Sequence, residues 1–588
     1  MTTKVFIIGA GYAGIEAALT LQKKKKKNET LEINIIDKNP YHTLLTELHE
    51  VSGNRISEDG IIISLRKIFE YSDVNIIQDE VAEVHFENKV IEGKYNKYDY
   101  DYLILAVGSE PNYFEIEGMK ENAMPFWSYN DSIAVKHRVL EMFQKAKLEK
   151  DPKVRRKLLT FAIGGGGFTG TELAGELSYW SNQLAVEYGV DRDEVRIIIL
   201  EAHETVLSIL DKKLIDKSVA YMTKKLGIEI VTSSFITKVT SDSVFVNKTT
   251  EIPAGTIVWT GGVKANACFN NLVLTTGQGA RVCVDEYTKT QYDGVYAVGD
   301  FSLFMTKEGK PLPALVESAM QTSVVAAKNI LNDIRNKEAE ECKPNLHGVM
   351  VSFGHKYAVA QFGNVKLSGI FALIMKHLIN IHYLFGIGGF EATWAYIEHE
   401  WFHQKHGNYF IHDHLKVLTP NFWLTILRVY IGYKWLMEGI TKYNDGWFEY
   451  VMLAGSSVGT DATTGASVMQ LVSSHTPAVY AWFVDTLIVP NAMLFQKMVV
   501  LTEIGLGLAF ISGTFVFLAA LVSIVMNLNF LISTGLNDLW YLVVSIAMLG
   551  GAGRTLGVDH YLMPYLSKQW RYFVRNKSIS LTLKKNKK

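Results

Sequence analysis

Gly9, Gly11 and Gly14 stand in G-x-G-x-x-G spacing directly behind an apolar run, Val5 to Ile8. Gly165, Gly167 and Gly170 repeat the spacing behind Leu158 to Ile163. The chemistry such a pattern performs is pyrophosphate binding. One glycine makes the tight turn, one lets backbone approach the phosphates, and one lets the following helix pack on its strand. The helix that opens near Tyr12 presents free N–H groups and the positive end of its dipole to the anion. A second strand, Ile33 to Ile36, ends in Asp37, 23 positions after Gly14, where a carboxylate can accept hydrogen bonds from a ribose. In the second unit the strand Val195 to Leu200 ends in Glu201. Two such units call for two dinucleotides. A carboxylate at 201 bonds a ribose 2′-hydroxyl and repels a 2′-phosphate, so NADH is favoured over NADPH.

Further elements must complete the first cradle. Val81 opens the short D-E-V-A-E-V strand, where backbone lies against adenine, and Tyr102 to Val107, containing Ala106, is a buried strand ending in Gly108. Trp259-Thr260-Gly261-Gly262 reads as a crossover back to the first domain. Val295 to Asp300 reads as a strand ending in Gly-Asp, whose acid can bond the ribityl chain of a flavin. Residues 145–157 are charge-rich and read as a linker or exposed turn, and Lys23 to Lys27 as a solvated loop.

With 588 residues the chain should hold several domains. The 59 basic and 60 acidic residues give no overall charge that would suit a nucleic-acid partner. Three scattered cysteines, Cys268, Cys283 and Cys342, form neither a disulfide framework nor a metal-ligand spacing, and no metal site is expected. A nucleotide-binding strand starting at residue 4 argues against a signal peptide.

Two interleaved nucleotide units with a terminal Gly-Asp resemble the flavin-dependent pyridine-nucleotide oxidoreductases. That resemblance implies noncovalent FAD in the first unit and NADH in the second. The disulfide reductases of that superfamily need a cysteine pair beside the flavin, often after the second strand; here that stretch, Tyr41 to Leu48, has none, and no C-x-x-C occurs. The segment G-G-G-F-T-G-T-E-L-A-G-E-L, 165–177, resembles the signature of type II NADH:quinone oxidoreductases, the single-chain, non-pumping NADH dehydrogenases. The likeness extends over about residues 1–400. It implies FAD contacts from Gly9, Gly11, Tyr12, Ala13, Gly14, Asp37, Val81, Ala106, Gly108, Asp300 and Glu317. It implies NADH contacts from Gly165, Gly167, Thr169, Gly170, Glu201 and Gly262. By the same resemblance Glu172 lies near the nicotinamide and quinone rings, and Lys376 matches a lysine at the quinone entrance, although a lysine snorkelling to a headgroup fits the residues equally. The family stretch A-Q-x-A-x-Q reads Val316-Glu317-Ser318-Ala319-Met320-Gln321 here. Gln321 is kept, but Glu317, which the resemblance puts near the quinone carbonyl, replaces an amide, and a carboxyl donates a hydrogen bond only when protonated.

Phe371, Ile374, Leu378, Ile381 and Phe385 form a helical apolar stripe with Lys376, Asn380 and Tyr383 off it, which suits a helix lying in a membrane interface rather than spanning it. Four apolar stretches follow: Phe422 to Ile440, Ala492 to Ser512, Phe515 to Ile532 and Leu539 to Leu556. Each approaches the length of a bilayer span. No Lys or Arg occurs from Tyr443 to Gln496, whereas Arg554 to Lys588 holds nine against one acid. The positive-inside rule then puts the loop outside, and the tail and catalytic domains on the cytoplasmic side of the cell membrane. Segments 428–443 and 551–561 resemble the DoxX-like four-helix membrane family. The fusion resembles the membrane-integral NADH dehydrogenases that feed extracellular electron transfer in Gram-positive bacteria, which implies menaquinone or demethylmenaquinone as acceptor. Glu503 is the intramembrane functional candidate, with a structural ion pair as its alternative.

The expected architecture is α/β: two Rossmann-type domains, an amphipathic membrane-surface helix and an all-α four-helix transmembrane bundle. Its boundaries are 1–118 with 255–340 for FAD, 119–254 for NADH, 341–420 for the membrane-facing region and 421–588 for the bundle with its tail. A sulfide:quinone oxidoreductase and a membrane-anchored flavin redox sensor are the alternative functions. A homodimer is left open.

Overall fold

A computed structural model describes residues 2–267, 273–402, 422–455, 469–472, 476–533, 539–553 and 555–576. Cys268, much of the loop expected outside, Arg554 and the last twelve residues of the basic tail lie outside that set. The chain forms two compact units, one of residues 1–416 with 570–588 and one of 417–569.

The first unit contains two five-stranded parallel sheets of one design. The first runs Val295–Ala297, Tyr102–Leu105, Thr3–Ile8, Leu31–Asp37, Val74–Gln78. The second runs Met124–Pro125, Thr256–Trp259, Thr160–Gly164, Arg196–Leu200, Glu229–Val231. In each the glycine-bearing strand is central and the acid-bearing strand lies beside it, with Val5 opposite Ile33 and Phe161 opposite Ile197. These strands are nearly continuous runs of Val, Ile and Leu because helices cover both faces of a parallel sheet. Ile7, Ile33, Ile35, Ile104, Ile163 and Ile199 are fully buried.

Three sequence expectations change. Residues 145–157 are not a linker: the helix Tyr129–Leu148 runs into them and Pro152–Leu158 forms a second helix, capped by the Asp151 carboxylate. The charges there line exposed helix faces. The strand Thr256–Trp259 still pairs within the second sheet, so the return to the first domain falls after Trp259 and not at 255. The antiparallel ribbon Ser109–Pro111 with Val263–Ala265 marks the two crossings.

The third change concerns the apolar helices. Among the described residues, three are long and apolar enough to cross a membrane: Ile370–Glu400, Ala478–Ser512 and Val516–Ser533. Two belong to the four expected spans. The first expected span is the helix Phe422–Asn444, whose Arg428, Lys434, Glu438 and Lys442 raise its polarity, and the fourth has a helical core of ten residues, Leu539–Met548. The element read as a surface helix therefore meets the length criterion, although Gly389, at φ 64°, breaks its helical course. Its exposed residues include Phe371, Ile374 and Leu378 of the stripe, while Lys376, Leu384 and Ile387 are buried.

In the second unit Arg428 and Lys442 of Phe422–Asn444 find partners. Arg428 is 1% exposed and donates to the carbonyls of Ala552, Thr555 and Leu556 at 2.9–3.1 Å. Lys442 pairs with Glu503 at 2.6 Å. Gly507 presses on the Leu436 backbone and Gly432 on that of Ile511, the close approach small residues permit between membrane helices. The chain reverses at Gly513, in left-handed conformation, and the Asp559 carboxylate caps the next helix by accepting from the N–H groups of Phe515 and Val516.

Candidate active site

The glycines build two matching cradles. Gly9 has φ +102°, and a Cβ there would lie 2.4 Å from the Ala106 carbonyl oxygen. A Cβ on Gly14 would lie 1.8 Å from the Gly9 oxygen, and one on Gly170 would lie 2.0 Å from the Gly165 oxygen. Those positions serve packing. The middle glycines differ: a Cβ on Gly11 or Gly167 would meet nothing within 4 Å. They face open space at the start of the helices Tyr12–Lys24 and Phe168–Tyr188, neither of which has a side-chain cap. Uncapped N–H groups beside a space kept clear of side chains fit a pyrophosphate in both places.

The two acids do more than wait for a ribose. Asp37 accepts from the Ala10 N–H at 2.7 Å and the Asn39 N–H at 2.7 Å. Glu201 accepts from the Gly166 N–H at 2.6 Å and the His203 N–H at 2.8 Å. Each carboxylate thus fixes the middle of its own glycine loop and keeps lone pairs for a hydroxyl. Burial pushes Asp37 above the usual carboxylate range.

The other expected flavin contacts gather around the first loop. Ala13 touches the turn at Gly299, Tyr12 is buried with its hydroxyl 3.3 Å from Thr46 Oγ1, Val81 is buried at the start of its strand, and Gly108 turns at φ +71°. Asp300 accepts from Ser109 Oγ at 2.9 Å, and burial raises its pKa. With Gly262, Asn112, Phe114 and Arg281 it lines a cavity of about 310 Å³. Thr169 sits in the first turn of the second nucleotide helix.

That second helix carries the chemistry onward. Glu172 and Glu176 lie on successive turns. Glu172 Oε1 accepts from the Ser352 N–H at 3.1 Å, and burial pushes Glu172 up to about 7. Glu176 Oε1 accepts from Arg55 Nε at 3.0 Å. Arg55 also pairs with Glu50 and, at 2.8 Å, with Glu400. Lys376 is 5% exposed and pairs with Glu47 at 2.9 Å and Glu50 at 2.5 Å. It therefore neither snorkels nor stands free at an entrance; it belongs to a buried network. His49, fully buried, places Nδ1 3.7 Å from Glu172 and Nε2 3.9 Å from Glu50. Burial and the Lys376 charge hold it well below the usual histidine range, so it is neutral. Glu47, His49 and Glu50 could together reach a metal ion, but the Lys376 ammonium already bridges the two carboxyls.

A second link runs from the first glycine loop to the membrane-facing helix. His42 Nδ1 lies 3.1 Å from the Ala10 carbonyl and Nε2 lies 3.0 Å from the Tyr383 hydroxyl. A carbonyl only accepts, so Nδ1 carries the proton and Tyr383 donates to Nε2. Burial lowers His42 to about 4, which keeps this tautomer neutral.

Glu317 and Gln321 sit in the first turns of the helix Val316–Ile334. Gln321 Nε2 donates to Glu317 at 3.2 Å, and Glu317 also accepts from the His347 N–H at 3.0 Å and pairs with its ring. The Glu317 side chain is 28% exposed. Sequence reasoning missed Glu47, His49, Glu50, Arg55, Glu176 and Glu400. The available signal was L-H-E at 48–50 and Arg55, ionisable groups in a short, otherwise apolar stretch.

Among the described residues, no cysteine pairs with the charged network. Cys342 packs with Phe304 and Leu312, and burial pushes it up to about 11, which suppresses the thiolate.

The chain matches the pyridine nucleotide-disulphide oxidoreductase family over residues 3–323. A type II NADH:quinone oxidoreductase of Staphylococcus aureus is 30% identical over 392 residues, covering 66% of this chain and 96% of that protein. Among solved structures, NDH2 from Plasmodium falciparum in complex with NADH superposes with a TM-score of 0.62 at 20% identity, over 69% of this chain and 99% of that one. The sulfide:quinone oxidoreductase of Aquifex aeolicus superposes with a TM-score of 0.55 at 16% identity, over 66% and 92%. At these identities the two structures report a shared fold.

Proposed function

The chain belongs to the pyridine nucleotide-disulphide oxidoreductase family, alongside its type II NADH:quinone oxidoreductases, and from that premise we propose that it oxidises NADH and reduces a membrane quinone through a noncovalent FAD. One observation carries the reading: the helix that starts at the second nucleotide cradle delivers Glu172 into a buried charged network, which Lys376 joins from an apolar-faced helix. Nucleotide, proton chemistry and lipid surface meet within one unit.

Gly9, Gly11, Gly14, Asp37 and Asp300 would hold the FAD; Gly165, Gly167, Gly170 and Glu201 would hold NADH. A bound flavin supplies a two-electron carrier between a hydride donor and a quinone. Glu172, with a pKa near neutrality, is suited to give or take a proton as charge changes beside it. Tyr383 and His42 tie the membrane-facing helix to the first glycine loop, which fixes the distance an acceptor must approach. The sulfide alternative loses support because the site holds no thiol pair among the described residues. The catalytic unit faces the cytoplasm, where NADH is found, and the second unit is a DoxX-like membrane anchor. The acceptor is a menaquinone or demethylmenaquinone, which would let the enzyme feed extracellular electron transfer.

The test is steady-state oxidation of NADH by the purified chain with menadione as acceptor, with NADPH and sulfide as rival donors. Quinone-dependent NADH oxidation with little NADPH use is expected. Turnover with sulfide alone, or no turnover with any donor, overturns the reading.

A further inference from the structure

The buried network holds more carboxyls than cations. Five glutamates, 47, 50, 172, 176 and 400, face Arg55 and Lys376. Lys376 is shared by Glu47 and Glu50, and Arg55 by Glu50 and Glu400. A buried carboxylate without its own cation is costly, so a cluster of five carboxyls around two cations keeps some of them protonated. Glu50 contacts both cations, which favour its ionised form, whereas burial favours the protonated form of Glu47 and Glu400, each paired with one cation.

Resting on the function proposed above, we infer that Glu47, Glu50 and Glu400 form a buried proton store, and that His49 passes its protons to Glu172 for quinone reduction. The His49 ring turns one nitrogen toward Glu50 and the other toward Glu172, and Ser352 Oγ bridges at 3.4 Å to both His49 Nε2 and Glu172 Oε1. A neutral imidazole accepts a proton at one nitrogen and releases one at the other. The overall balance is NADH + H⁺ + quinone → NAD⁺ + quinol. Hydride supplies two electrons and one proton. The store supplies the second: a carboxyl O–H breaks, a quinol O–H forms, and solvent reprotonates the store.

Burial raises Glu47, opposed by Lys376; burial also acts on Glu50, but Arg55 and Lys376 overcome it and hold Glu50 low. The groups facing the store are Arg55 and His49 beside it, Glu172 and Glu176 from the nucleotide helix, Lys376, His377 and Tyr396 from the membrane-facing helix, and His355, three residues after Ser352. Asn380 links Glu47 to Tyr396, and Tyr396 to the half-buried His377, marking the side from which solvent protons return.

The test uses the full-length holoenzyme. Infrared spectra recorded across a pH titration, without quinone, should show protonated carboxyls persisting at neutral pH, with Glu47→Gln and Glu400→Gln each removing part of that signal. Turnover with menadione should fall by about tenfold or more in His49→Gln, since proton-transfer assistance is commonly worth roughly 10² to 10⁴ in rate, and the solvent deuterium effect should rise. Bleaching of the flavin by NADH alone is recorded for every variant. If the wild type fails to bleach or to reduce menadione, the proposed function is wrong. If the wild type turns over but shows no protonated carboxyl at neutral pH, the store is wrong. The store is equally wrong if Glu47→Gln and His49→Gln keep the wild-type pH profile and isotope effect. The wild-type spectrum and Glu47→Gln decide the matter even if Glu400→Gln does not fold.

Discussion

The two nucleotide-binding units are copies in backbone and opposites in what they carry. Both place the glycine strand third in a five-stranded parallel sheet, both press the third glycine against the oxygen of the first, and both fix the loop with the acid of the neighbouring strand. Their helices then diverge. The first presents Tyr12, Ala13, Ile15 and Ala17, all buried. The second presents Glu172 and Glu176 to Arg55, Ser352 and His49. The glycine turn decides that a dinucleotide binds; the next two turns of helix decide whether the unit also handles protons.

The sharpest way to break the likeness is a methyl group in each cradle. Gly14→Ala should yield protein without flavin, because its Cβ would overlap the Gly9 carbonyl. Gly170→Ala should keep the flavin and lose bleaching by NADH. Absorbance of the purified proteins checks both, and a flavin-replete Gly14→Ala would show that the first cradle is not where the flavin sits.

Glu172→Gln tests the divergence itself. Glu172 is neutral below about 7 and ionised above it, so kcat/KM for quinone should fall as pH rises through that value in the wild type. The variant should lose that limb and about 10²-fold in quinone turnover, a typical contribution of a general acid. A variant with the wild-type profile would assign the limb to another group.

Glu201→Arg probes what the cradles share. Its NADPH:NADH ratio of kcat/KM should rise by about tenfold, the size of one lost repulsion worth ~1.4 kcal/mol. Because Glu201 also holds the Gly166 N–H, total activity should fall with both nucleotides. The smallest effect is expected at Glu317→Gln. The pair with His347 is partly exposed, and such pairs contribute about 0–1 kcal/mol, so quinone turnover should change less than about fivefold. A larger loss would restore Glu317 to the reaction.

The residues alone determined the two cradles, because a glycine forced to positive φ or pressed against backbone leaves its mark at fixed spacing. They determined Asp37 and Glu201 for the same reason: the acid follows a strand whose length is set by the sheet. They also determined the apolar stripe at 371–385. The charged network was not legible, since Arg55, Glu176, Lys376 and Glu400 are separated by up to 345 positions and only the fold brings them together. Lys376 read as an entrance residue because a sequence shows that a lysine leaves an apolar stripe but not what it meets on the other side. The partner of Glu317 was equally hidden, because His347 lies 30 residues away. The partners of the charges in Phe422–Asn444 were hidden for a related reason: Lys442 meets Glu503 and Arg428 meets helix-end carbonyls only in the fold. Local spacing records backbone geometry; which ionisable groups share a low-dielectric interior is decided by tertiary packing alone.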